Sequence, residues 1–255
     1  MLRIFGLTAL LILAAPAAPR ADVDHDALWK IAHDQCVPDE RAHANPAPCV
    51  RVDLRRGVDK GYVVLKDRVG VAQYLLIATR RLSGIDDPEI LAPNAPNYWA
   101  EAWDNRRYVS AAAKGALAWD DIGLAINSAL SRSQNQLHIH IDCLQPDVRA
   151  LLAAHSGEIG GRWTALPFDL HGEFYVARRL SAAALARENP FRLLARGVPG
   201  AAQHMGEETL VVAGVSFARA RNGFVLLAAR ADPAHGRLAH GASLLDHSCV
   251  LAKMK

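Results

Sequence analysis

The chain has 255 residues, 51% of them hydrophobic and 22% charged. That is enough apolar material for one sizeable core and too much for a disordered segment. Lys+Arg 29 against Asp+Glu 26 gives +3, and removal of residues 1–21 with Arg3 and Arg20 leaves 27 − 26 = +1, so charge gives no support to a nucleic-acid partner.

The N-terminus starts with Arg3, runs apolar from Ile4 to Leu13, and continues with small residues at Ala15, Ala17 and Ala21. This is the form of a secretory signal peptide, or of an N-terminal anchor if it is not cleaved. The run is short for a membrane span, which takes about 20 residues. Residues 1–21 are therefore set apart from a domain of residues 22–255, with a motif-bearing half at 22–157 and a second half at 158–255.

Asp26 to Gln35 predicts a short helix, with Leu28, Ile31 and Ala32 at helical spacing. Val50–Leu54, Gly61–Lys66 and Gln73–Ala78 predict three strands, the last apolar enough to be central. After the turn-rich Ser83–Pro88 comes a helical region carrying Tyr98, Trp99, Trp103 and Tyr108, whose spacing suits a core-facing helix. Gly123–Asn127 is a strand, and so is the run after the polar loop, His138-Ile139-His140-Ile141-Asp142-Cys143. Pro146 opens a helix with an apolar face of Val148, Leu151 and Leu152 and a stop at Gly157. In the second half, Asn189-Pro190 caps a helix that ends at Gly197, and Thr209–Ala213 and Gly223–Leu227 predict strands. The pattern is α+β: an antiparallel sheet with flanking helices, extended by a C-terminal α+β lobe.

There are four cysteines, Cys36, Cys49, Cys143 and Cys249. An even count in an exported chain suggests disulfides, with three connectivities open. Cys36–Cys49 would close a Pro- and Ala-rich loop, Val37 to Pro48, that has little else to order it, and Cys143–Cys249 would follow. Buried free thiols are the alternative.

On a strand, side chains alternate faces, so Gln136, His138, His140 and Asp142 share one face and Leu137, Ile139, Ile141 and Cys143 the other. Three uses of the paired imidazoles stay open on these residues alone. They are half-exposed strand residues, or two metal ligands awaiting a third from Asp142, His171 or His247. In the third use, one histidine attacks phosphorus and forms a phosphoramidate, chemistry that requires no metal.

The stretch Gln134-x-x-x-His138-Ile139-His140-Ile141-Asp142 resembles the histidine-triad superfamily motif, Gln-x-x-x-His-φ-His-φ-His with φ apolar. Asn127, eleven residues before His138, matches an asparagine of that superfamily, and Tyr74–Ala78 resembles one of its strands. Lys66-Asp67 stands, with a one-residue gap, where the family has His-Asp. The resemblance implies a HIT-like fold with His140 as nucleophile and His138 orienting the site. It makes Asn127 and Gln134 ribose or phosphate ligands, with Gln136 beside them on the strand face and Lys66 at the phosphates. Asp142 stands where the third histidine belongs. There it would orient His138 or His140, or protonate the leaving group.

Export, length, "QNQLHIHI", the cysteine just after the motif and the closing "DHSC" (Asp246–Cys249) resemble one branch, the bacterial CDP-diacylglycerol pyrophosphatases of the cell envelope. The resemblance implies hydrolysis of CDP-diacylglycerol to CMP and phosphatidate through a nucleotidyl-histidine. It implies no cofactor, and a lipid-nucleotide substrate met at a membrane surface. The protein would be periplasmic, or held at the inner membrane facing the periplasm. A nucleotidyltransferase of the same superfamily and a metal- or nucleotide-binding envelope protein without turnover are the competing functions. Outside the motif, Arg80-Arg81 is a further phosphate candidate, while His171 and His247 read first as surface or structural histidines.

Overall fold

The computed structural model describes residues 24–218 and 221–254. The segment read as a signal peptide or anchor, residues 1–21, lies outside them. Among the described residues no helix is long and apolar enough to cross a membrane.

The first helical segment is longer than its predicted range. It runs as α1 (Ala27–Lys30), a π-helical stretch (Ile31–Cys36) and α2 (Val37–His43). Pro38 lies inside it and reads in the sequence as a breaker. Proline has no N–H to donate and its ring crowds the carbonyl one turn back, and the wider π turn before it accommodates both. The Val37–Pro48 loop is thus largely helix, in addition to being closed by a Cys36–Cys49 disulfide.

The strands are β1 (Arg51–Asp53), β2 (Tyr62–Lys66), β3 (Tyr74–Ala78), β4 (Ile122–Ile126), β5 (His138–Leu144), β6 (Thr164–Leu170), β7 (Glu173–Ser181), β8 (Glu208–Phe217), β9 (Arg221–Arg230) and β10 (Leu245–Asp246). Their order in a single sheet is β1-β2-β3-β5-β4-β8-β9-β7-β6, with every pairing antiparallel. Strand β10 returns from the C-terminus to pair with the end of β5, Leu245 opposite Leu144 and Asp246 opposite Cys143. The second half of the chain enters the fold by extending the first half's sheet through the β4–β8 pairing. The β6–β7 hairpin gives no clear strand signal in the sequence, because β6 carries Pro167 and a register shift, and both are tolerated at a sheet edge.

Helices α3 (Tyr98–Asp104), α4 (Arg107–Ala113), α6 (Ala182–Leu185) and α7 (Pro190–Gly197) cover one face. Tyr98, Trp99, Trp103 and Phe191 pack there on Tyr74, Leu76, Leu124, Ile139, Ile141 and Leu226, so these aromatics are core. The other face carries two separate cores. Residues of α1 to α2 pack on Val63, Leu65, Leu75 and Ile77. Helix α5 (Pro146–His155) packs with Leu144, Val211, Ala213 and Leu227. The polar row of β5 lies between these two cores.

Candidate active site

His138, His140 and Asp142 project from β5 toward the gap between the two cores. Cross-strand neighbours share a face of the pleat. His138 stands beside Ile77, His140 between Leu75 and the small Ala125, and Asp142 beside Gly123. Gly123 has no side chain for a reason of space: a Cβ there would lie 2.5 Å from Leu144 Cδ2 and 2.8 Å from Leu245 Cδ2. That clearance lets the C-terminal segment pack against β5.

The two imidazoles meet edge to face, with ring centroids 5.0 Å apart. His138 is buried, and its Nδ1 donates to the Gln136 carbonyl at 2.7 Å. That bond places the proton on Nδ1 and leaves the Nε2 lone pair toward the site. Burial lowers the His138 pKa, against the opposing pull of the same carbonyl. His140 differs: both ring nitrogens are buried and neither has a hydrogen-bond partner among the described residues. Burial holds its pKa well below the ordinary histidine value, and the neighbouring imidazoles of His138, His240 and His247 push it the same way. A neutral imidazole with an unengaged lone pair is the protonation state that a nucleophile needs.

Asp142 is fully buried and bonds neither of the motif histidines. Its Oδ2 accepts from His247 Nδ1 at 3.1 Å, and its Oδ1 accepts from the Cys143 amide at 2.9 Å. Burial pushes the Asp142 carboxyl up, the bond to His247 opposes that, and the same bond raises the His247 pKa. The expectation that Asp142 orients His138 or His140 is therefore corrected: it orients a histidine from the C-terminal segment, 105 residues away.

Four features hold that segment in place. Strand β10 pairs with β5, and Cys143 is disulfide-bonded to Cys249. The Val71 amide donates to the His247 carbonyl at 2.8 Å. Gly70, with φ +76°, brings the β2–β3 turn onto His247, where a Cβ would come within 3.1 Å of its Cβ and carbonyl oxygen.

The other sequence candidates are placed differently from expectation. Lys66 is paired with Tyr74 and through it with Ile141, so it stands on the helix-covered face, away from the histidines. Its Nζ donates to the carbonyls of Asp67 and Gly70 and shapes the turn. Gln134 holds the N-terminal segment, accepting from the Leu28 amide and donating to the Asp24 carbonyl. Gln136 is fully buried, and its Nε2 donates to the carbonyls of Ala78 and Arg80 at 2.8 Å each. In all three cases the side chain is drawn to backbone groups that would otherwise lack partners. Asn127 does border the cluster: its Oδ1 accepts from Ala242 N at 2.9 Å and anchors the segment that carries His240. Arg80 and Arg81 are paired with Glu89 and Asp26. His171 pairs with Asp147. Among the described residues, no group of three His, Cys, Asp or Glu side chains is arranged to hold a metal ion.

A half-buried histidine with both ring nitrogens buried, held neutral among further imidazoles, is chemically able to attack phosphorus. Residues 23–253 match the model of a family described as CDP-diacylglycerol pyrophosphatase. The chain is similar to a CDP-diacylglycerol pyrophosphatase of Yersinia pestis, 41% identical over 244 residues that make up 95% of this chain and 92% of the relative. The protein is a hydrolase acting on a diphosphate bond. It belongs to the CDP-diacylglycerol pyrophosphatase family.

Proposed function

We propose that the chain hydrolyses CDP-diacylglycerol to CMP and phosphatidate, with His140 as a covalent nucleophile in a HIT-like arrangement. The observation that carries this is the state of His140, whose two buried ring nitrogens have no hydrogen-bond partner among the described residues. Buried polar groups without partners are rare, and one held neutral beside other imidazoles suits a ligand bearing phosphate. Nε2 attacks the phosphorus that carries cytidine, the anhydride P–O bond breaks with its electron pair on phosphatidate, and water then releases CMP. His138, fixed by the Gln136 carbonyl, orients the phosphate, and Asn127 stands where ribose or phosphate would be held.

The lipid half of the substrate has support of its own. Of the exposed large apolar side chains among the described residues, Val69 and Val71 lie on the turn over His247. Leu130 lies three residues after Asn127, and Leu238 lies two residues before His240. Exposed apolar side chains on the turn that packs on His247 suit a substrate with a charged head and acyl chains at a membrane surface. Two disulfides suit an oxidising compartment, in keeping with export to the periplasm. Hydrolysis of CDP-diacylglycerol is expected to survive EDTA and to be lost in His140→Ala. Full turnover in that variant overturns the proposal.

A further inference from the structure

The motif's third histidine is absent from β5, yet a third imidazole stands at the site. We infer that His247, held by Asp142, is the base that activates water to hydrolyse the nucleotidyl-histidine; this rests on the covalent role of His140 proposed above.

The geometry is that of a carboxylate–histidine pair. Asp142 is buried, has one oxygen engaged by the Cys143 amide, and accepts the Nδ1–H of His247 with the other. The bond fixes the tautomer and leaves the Nε2 lone pair free to take a proton, the role such a pair plays in hydrolytic triads. His247 is the solvent-facing member of the pair. Its side chain is 42% exposed while that of Asp142 is 0% exposed, so water reaches the imidazole and not the carboxylate. His140, by contrast, has both ring nitrogens away from solvent. The two imidazoles thus divide the work: the dry one takes the nucleotidyl group and the wet one prepares the water.

His247 is also fixed from four sides, by the β10–β5 pairing, by the Cys143–Cys249 disulfide, by Val71 through its backbone, and by close contact with Gly70. Asp246 adds to this by accepting from Ser248 N, Ser248 Oγ and Val250 N, which shapes the turn that aims the next residue. A surface histidine with no task would not need such support.

The steps balance without an added reagent. In the first, neutral His140 attacks and phosphatidate leaves with the electron pair of the anhydride bond, as an anion that needs no proton. In the second, the water oxygen bonds phosphorus, the P–N bond breaks with its pair returning to His140, and the water proton passes to His247 Nε2 and on to solvent. The charged or titratable groups facing His247 are Asp142 on β5, Asp67 on the β2–β3 turn, Asp246 on β10, and the imidazoles of His140 and His240. The carboxylates favour its protonated form, Asp142 most, so the base is strong and its titration sets the acid limb of the rate profile.

His247→Gln is mixed with a slight excess of CDP-diacylglycerol, and phosphatidate and CMP are timed separately. The expected result is one equivalent of phosphatidate per enzyme released at a near-normal rate. CMP release slows by about 10²- to 10⁴-fold, the range for loss of a general base, and CMP accumulates on His140. Asp142→Asn is expected to lower the CMP release rate and to move the acid limb of the profile to lower pH, because the imidazole loses the carboxylate that raises its pKa. Equal slowing of both products in His247→Gln, or turnover at the wild-type rate, overturns the inference. So does an acid limb that stays put in Asp142→Asn while the rate falls, which marks a purely structural role. Failure of the covalent reading has a different signature, turnover retained in His140→Ala.

Discussion

The two disulfides close loops of very different length, so their removal has unequal consequences. Cys36–Cys49 spans 13 residues and Cys143–Cys249 spans 106. The chain-entropy relation assigns about 2.9 kcal/mol to the short loop and about 4.8 kcal/mol to the long one at room temperature. The expected difference in unfolding free energy between Cys36→Ser/Cys49→Ser and Cys143→Ser/Cys249→Ser is therefore about 2 kcal/mol, read from urea unfolding with a common slope. Activity separates the pair further. Cys143 follows Asp142 and Cys249 lies two residues after His247, so loss of the long cross-link loosens the pairing of those two side chains. A displacement of about 1 Å at a reacting group costs on the order of 100-fold. In CMP-release assays under conditions where both variants are folded, the long-loop variant should lose most of its kcat and the short-loop variant should keep it. Equal kcat in the two variants, or a larger stability loss from the short loop, would show that the long cross-link does not hold the Asp142–His247 pair.

Other expectations rest on single contacts. Gln136→Ala leaves the Ala78 and Arg80 carbonyls without their donor in the interior, so it should lower stability by about 1–3 kcal/mol while KM stays near its wild-type value; a large rise in KM at unchanged stability would restore Gln136 as a substrate ligand. Val69→Ser together with Val71→Ser should raise KM for long-chain CDP-diacylglycerol in vesicles by roughly fivefold, at about 1 kcal/mol of apolar contact with lipid lost from the exposed pair, and leave a soluble short-chain analogue unaffected; equal effects on both would show that the turn touches no lipid. The buried His138 has a lowered pKa, so the unfolded chain binds a proton there that the folded chain resists. Its contribution is present above the ordinary histidine value and is lost as pH falls toward the folded one, at up to about 1.4 kcal/mol per pH unit. Removing His138 by substitution with Gln should flatten the unfolding free energy below about pH 6.5, the ordinary histidine value, and an unchanged slope would mean that the ring is not held neutral.

What the sequence made legible and what it hid follow from one distinction. Strands such as Tyr74–Ala78 and His138–Leu144 declare themselves through a period of two and an unbroken apolar face, properties of the local chain. Motif spacing also points to His140. The destination of a side chain is not local. Lys66, Gln134 and Gln136 have the right types at the right spacing, yet each is taken up by backbone carbonyls or amides that only the folded chain brings near. The same holds for Asp142: as sequence it is an acid in a histidine's place, and the histidine it serves is 105 residues away. "DHSC" was the available signal for His247, since a cysteine two residues beyond it was the partner left for Cys143. Nothing comparable marked His240, which enters through the segment that Asn127 anchors. Helix α2 and the β6–β7 hairpin were obscured by Pro38 and Pro167, tolerated through a π turn and an edge position that local propensity does not anticipate.

The central claim is that His140 carries the nucleotidyl group. Rapid quench of the enzyme with CDP-diacylglycerol, followed by mass spectrometry of the peptide spanning residues 133–149 under neutral conditions, tests it most directly. An acid-labile CMP adduct on His140, increased in His247→Gln, is the expected result. An adduct on any other residue, or turnover by His140→Ala with no adduct at all, would contradict it.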